Sequence, residues 1–167
     1  MKKILLSSLI GAMLISASAF ASEGLSTKLG YSHTELESVN GNGGVFGMDY
    51  VIPLKVLGNG RTSGLETGFG FNLGAGVIDS NGYYNGDADI FIGYQYQGVN
   101  VRGTVGYGFL KVESTSSMHG PLYGGSVGYD FSEKWGVEAV YKTGKYSPAA
   151  GPDLDITYTG LNIVWRI

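Results

Sequence analysis

Apolar and polar side chains alternate one for one along most of this chain, and the alternation recurs in eight separate stretches. They fall at about residues 24–34, 45–53, 65–78, 87–97, 99–110, 122–131, 135–144 and 156–167. In the third, Leu65, Phe69, Phe71, Leu73, Ala75 and Val77 share one face; in the fourth, Ala88, Ile90, Ile92, Tyr94 and Tyr96 do. A period of two is the signature of a strand with two unlike faces. Helical periodicity is weak, and glycine recurs too often for stable helices.

The connections predict a topology. Gln97-Gly98 and Ser132-Glu133-Lys134 read as hairpin turns on one rim. The stretches 35–44, 79–86, 112–121 and 145–155, rich in Asn, Gly, Ser and Asp, read as longer loops on the other rim. Short turns at one end and long loops at the other match an eight-stranded antiparallel up-and-down transmembrane β-barrel. Most stretches are near the ~9–11 residues that a tilted strand needs to cross a bilayer. The connection 54–64 is too long for its rim and reads as a strand extension or a small plug.

Side-chain volume decides which face points outward. Fifteen aromatic rings, among them Tyr31, Phe69, Tyr107, Tyr123 and Trp165, fall on the apolar faces. An eight-stranded barrel has an interior just wide enough to be filled by side chains, so these rings belong outside. The opposite faces carry glycine, which suits a crowded interior and leaves some room for water. No Asp, Glu, Lys or Arg interrupts the apolar faces, as a lipid-facing wall requires. Tyr96, Phe131, Trp135 and Trp165 gather near the short-turn rim and predict an aromatic girdle there.

The inward set is ionic. Lys28, Asp49, Glu66, Arg102, Asp130, Glu138, Lys142 and Arg166 predict a lumen ion-pair belt, with Asp87 and Asp89 on the same face. Enclosed charges must be paired or the desolvation cost is prohibitive. Arg102 and Asp130 lie on neighbouring strands, as do Glu138 and Arg166, which suggests pairing in the half nearest the short turns. Such a belt either blocks passage, makes a narrow porin-like conduit, or lines a cavity for a small polar molecule.

Residues 1–21 predict export. Lys2-Lys3 precedes an apolar run, and Ala19-Phe20-Ala21 fits signal-peptide cleavage after Ala21, leaving 22–167 as one barrel domain. Those remaining residues hold nine basic and fourteen acidic side chains, a net charge of −5 that argues against nucleic acid. There is no cysteine to staple an exported fold, and sheet closure is the alternative device.

The run Ser126-Val127-Gly128-Tyr129-Asp130-Phe131, the turn into Trp135, and the last strand from Thr159 through Trp165 to Ile167 resemble the small outer-membrane barrel families, the OmpX/Ail-like proteins and the OmpA transmembrane domain. The resemblance implies contact with outer-membrane lipid and lipopolysaccharide. It also implies a last strand read by the barrel-insertion machinery, although Ile167 stands where those families end in an aromatic. Relatives of this kind include adhesins and structural barrels, so a surface partner met through the loops is expected, with Tyr83, Tyr84, Met118 and Tyr146 as candidate contacts.

Catalysis finds little support. Some small barrels modify lipid A with a serine activated by histidine. Here His33 and Asp79-Ser80 sit at loop ends, and His119 reads as a loop residue, but no further motif joins them. No catalytic, cofactor-binding or metal-ligating set is assigned, and a non-enzymatic barrel is the expectation.

Overall fold

The computed structural model describes residues 24–56, 63–113 and 115–167. Residues 1–21, the expected signal peptide, lie outside that range, as does the middle of the 54–64 connection. Eight strands follow in chain order: β1 (Leu25–Leu36), β2 (Val39–Val56), β3 (Ser63–Ile78), β4 (Asn81–Tyr96), β5 (Val99–Val112), β6 (Met118–Asp130), β7 (Trp135–Pro148) and β8 (Leu154–Arg166). Each pairs antiparallel with the next, and β1 pairs with β8, so the sheet closes. The closing seam runs from Ser26 opposite Arg166 to Leu36 opposite Ile156, and Ile167 N–H donates to the Leu25 carbonyl at 3.0 Å. Closure leaves no row of unpaired backbone groups.

The expected long loops are mostly strand. β2 begins at Val39, β4 at Asn81 and β6 at Met118, and β7 runs on to Pro148. Between β1 and β2 only Glu37 and Ser38 remain, and between β3 and β4 only Asp79 and Ser80. Positive φ at Asp79 (44°) and Ser80 (66°), and at Gln97 (49°) and Gly98 (86°), gives both tight hairpins the backbone twist that matches paired strands. Asn, Ser and Gly in these stretches suggested loops because composition cannot separate a loop from a strand whose outer face meets water. At the 54–64 connection, β2 reaches Val56 past a register shift between Pro53 and Lys55, and β3 starts at Ser63. The described part is therefore strand extension.

Strands this long carry two polarity patterns in one period. Outward on β8, Trp165, Ile163 and Leu161 give way to Thr159, Thr157 and Asp155. Inward on the same strand, Arg166 and Asn162 give way to Tyr158 and Ile156. β7 does the same, with Trp135, Val137 and Tyr141 outside before Lys145 and Ser147, and with Glu138 and Lys142 inside before Tyr146. The barrel is thus apolar outside and ionic inside over its lower part. Toward the rim of the β1–β2, β3–β4, β5–β6 and β7–β8 connections it becomes apolar inside and mostly polar outside, with Val77 of β3 and Tyr84 of β4 as exposed apolar exceptions.

That upper interior is a packed core of Ile78, Tyr83, Leu110, Met118, Tyr146 and Ile156, joined by Val112, Leu122 and Tyr158. It corrects two expectations. The lumen is not polar throughout. Tyr83, Met118 and Tyr146 are not loop residues open to a partner but are buried at 3%, 4% and 0% exposure, which leaves Tyr84 as the exposed ring of that group. The inner glycines are explained by the same packing. A Cβ on Gly68 would stand 2.5 Å from the ring of Phe91, and one on Gly108 would collide with the Tyr146 hydroxyl. Those glycines receive rings from other strands, so the inner face is more filled than a glycine count suggests.

Tyr146 yields a direct test. Its hydroxyl is enclosed beside that of Tyr158 but forms no hydrogen bond of good geometry. An unsatisfied buried polar group costs about 1–3 kcal/mol. Tyr146→Phe is therefore expected to leave the unfolding midpoint in denaturant unchanged or raised; a clear fall would mean that the hydroxyl is bonded after all.

Candidate functional site: the lumen

The ionic side chains come from alternate positions of every strand except β8's middle and upper part, because each strand points every second residue inward. They form three groups. In the first, Arg102 of β5 runs over Gly93 of β4: Nε donates to Glu66 Oε1 of β3 at 2.7 Å, and Nη1 reaches on to Asp49 Oδ2 of β2 at 3.0 Å. Lys28 Nζ lies 2.9 Å from the same Asp49 oxygen and 3.3 Å from Glu138 Oε2, while Arg102 Nη1 is 3.8 Å from Glu138 Oε1. Asn162 donates to Glu138 at 3.3 Å. The guanidinium also lies 4.6 Å from the centre of the Phe91 ring, a cation–π contact on a ring that faces inward. All five charged residues are at least nine-tenths buried.

In the second group Lys142 Nζ bridges Asp87 at 2.6 Å and Asp89 at 2.5 Å, and Asn72 donates to Asp87 at 2.9 Å. The third lies at the short-turn rim, where Arg166 Nη1 donates to Asp130 Oδ1 at 2.6 Å and Gln95 to the other oxygen at 3.0 Å. The structure therefore brings Lys28, Asp49, Glu66, Arg102 and Glu138 together and separates Lys142, Asp130 and Arg166 from them. Arg102 does not pair with Asp130 on the neighbouring strand, nor Glu138 with Arg166. Long side chains in a narrow barrel reach partners across the lumen as easily as along the wall. Asp87 and Asp89, with parity as their only sequence signal, turn out to hold Lys142.

Between the first two groups, with Tyr158 in its lining, lies a cavity of about 60 Å³, room for a few water molecules. Above it the packed apolar core fills the bore.

Of the expected girdle residues, Trp135 and Trp165 stack with ring centres 6.0 Å apart, and all four of Tyr96, Phe131, Trp135 and Trp165 lie on the outer surface. The opposite limit of the apolar wall carries two ring–histidine pairs. Tyr107 and His119 share a 2.7 Å hydrogen bond, and Tyr31 and His33 both bond Asn42 Oδ1, at 2.6 and 2.8 Å. His33 is thus engaged with Asn42 on the outer wall, and no hydrogen bond among the described residues joins it to Asp79 or Ser80. No three His, Asp or Glu side chains among the described residues converge as a metal site would.

No protein-family model matches the sequence, and no curated protein matches it in sequence. Solved structures do share its fold. Ail, the attachment invasion locus protein of Yersinia pestis, superposes with a TM-score of 0.57 at 14% identity, over 87% of this chain and 100% of that one. The same protein in complex with the heparin analogue sucrose octasulfate gives 0.54 at 15% identity, over 87% and 100%. Neisserial surface protein A gives 0.58 at 12% identity, over 87% of this chain and 98% of that one.

Proposed function

We propose that the chain is a non-enzymatic integral barrel of a bacterial outer membrane, structural or surface-interacting, exported by a signal peptide cleaved after Ala21 and closed to steady ion flow. The reversal of polarity along the strands carries this reading. An outer wall of Leu29, Phe69, Ile90, Ile92, Leu161 and Ile163, each more than half exposed, is ruinous in water and suited to lipid. The polar walls and apolar core above it suit water. Two solvents at two heights explain one chain with two patterns, and a bilayer meets both conditions. Lipid and lipopolysaccharide then touch the apolar wall, and the strand from Thr159 to Ile167 serves as the signal to the insertion machinery.

A surface partner meets the walls of the strand extensions and their short turns instead of long loops. That rim carries Glu35, Glu37, Asp79, Glu113, Asp153 and Asp155 against Lys111 and Lys145. Its negative charge repels a sulfated polyanion, so the heparin analogue bound by Ail is no guide to a partner here. Closure rests on the Arg102 network and the core around Leu110 and Tyr146. Reconstituted in planar bilayers, the purified protein is expected to show no steady conductance; persistent openings would favour the conduit reading. Cell fractionation and the heat-dependent gel mobility of folded barrels test the location.

A further inference from the structure

We infer that the barrel meets an outer leaflet of unequal height: lipid rises along the β3–β4 hairpin to its tip and is drawn down on the opposite flank, against β7, β8 and β1. This deepens the proposed location and rests on it. The outward positions of β3 are apolar from Leu65 through Phe69, Phe71, Leu73 and Ala75 to Val77, with Thr67 as the exception. β4 carries no polar side chain outward from Tyr96 to Tyr84. Val77 and Tyr84 are 56% and 52% exposed, and Tyr84 meets Phe109 of β5 edge to face with ring centres 6.3 Å apart. At about 3.3 Å per residue and a tilt of about 45°, Leu65 to Val77 rises roughly 28 Å, enough for the ~25 Å apolar band of an outer-membrane barrel.

On β8 the apolar run reaches only from Ile167 to Leu161, a rise of roughly 14 Å by the same measure. Above Leu161 the wall turns polar. Thr159 lies between Tyr141 of β7 and His33 of β1, and Thr157 between Thr143 and Glu35. Lys145 and Asp155 follow as an exposed pair at 3.6 Å. The β1–β2 and β5–β6 hairpins also end in polar outward positions, Glu35 with Asn40 and Lys111 with His119, so the β3–β4 tip stands apart. A tilt of the whole barrel does not account for the difference. Sinking the β3–β4 tip into lipid by tilting would push Leu65 and Tyr96 out of the far side and lift Trp135 and Trp165 into the hydrocarbon. Those rings sit at the short-turn ends of β4, β7 and β8 on both flanks, where an interfacial girdle belongs. The lower edge is therefore anchored, and the mismatch falls on the outer leaflet. A bilayer answers an apolar wall shorter than its own thickness by thinning locally. Headgroups and water then reach Thr157 and Thr159, and acyl chains continue past Leu73 to Val77.

The chain has no cysteine, so single replacements each carry one spin label. Ile90→Cys, Val77→Cys and Thr157→Cys are folded into phosphatidylcholine vesicles. Power-saturation electron paramagnetic resonance then compares access to oxygen, which concentrates among acyl chains, with access to a water-soluble nickel chelate. Oxygen is expected to dominate at Ile90 and at Val77, and nickel at Thr157, although Val77 stands closer to the end of its strand than Thr157 does. With Ile90 in lipid, nickel dominance at Val77 or oxygen dominance at Thr157 would show a level belt and overturn the inference. A Thr157 label closed to both reagents would overturn it too, by placing protein on that flank. Nickel dominance at Ile90 itself would remove the bilayer, and with it the proposed location. Should Val77→Cys fail to fold, Tyr84→Cys reads the same flank.

Discussion

Ile90→Arg will cost the folded barrel about 2–4 kcal/mol, the loss expected for a basic side chain at mid-depth in a bilayer. Ile90 is 62% exposed, on β4 between Phe69 of β3 and Val105 of β5, also outward-facing and more than half exposed. On a protein surrounded by water, an arginine at so exposed a site changes stability by no more than about 0.5 kcal/mol. Thr157→Arg, on the outer wall of β8 above the apolar region, supplies the internal comparison and is expected to be nearly neutral. Equilibrium unfolding in denaturant from phospholipid vesicles reads both. Equal, small effects at the two positions would remove the bilayer from the account and with it the proposed location.

Arg102→Met is expected to be at least as damaging, at about 3–5 kcal/mol, because removing one partner of an enclosed ion pair strands the others. Asp49 and Glu66 each lose a direct hydrogen bond from the guanidinium, Glu138 loses a nearby cation, and Lys28 alone cannot serve all three. Arg102→Lys is expected to recover only part of the loss. An ammonium is a point charge, whereas the guanidinium reaches Glu66 through Nε and Asp49 through Nη1 at once. Adding Glu66→Gln to Arg102→Met should return stability, since it removes a stranded charge. If the single and double variants unfold at the same denaturant concentration, the network is not coupled as its geometry indicates.

Much of this was legible in one dimension. Strict alternation has one physical reading, and the burden of rings on one face could not be accommodated inside eight strands, so Tyr31, Phe69, Tyr107 and Trp165 were placed on the outer wall from volume alone. The inward direction of Lys28, Asp49, Arg102 and Glu138 followed from the same parity. The upper half was harder to read. Tyr83, Met118 and Tyr146 sit among Asn, Gly, Ser and Pro, and that composition suggests loops. The alternation there is present but inverted, with the apolar member inside.

The amino-acid sequence by itself determined the number of strands, their two-faced character and the side of each that carries charge, because strand periodicity is local and side-chain volume is additive. Only the tertiary structure decided how far the strands rise, where the walls exchange polarity, and which carboxylate answers which base. Those outcomes depend on register, tilt and reach across a closed barrel. Arg102 therefore meets Glu66 two strands away, over Gly93, and Asp49 of β2, and not Asp130 on the next strand.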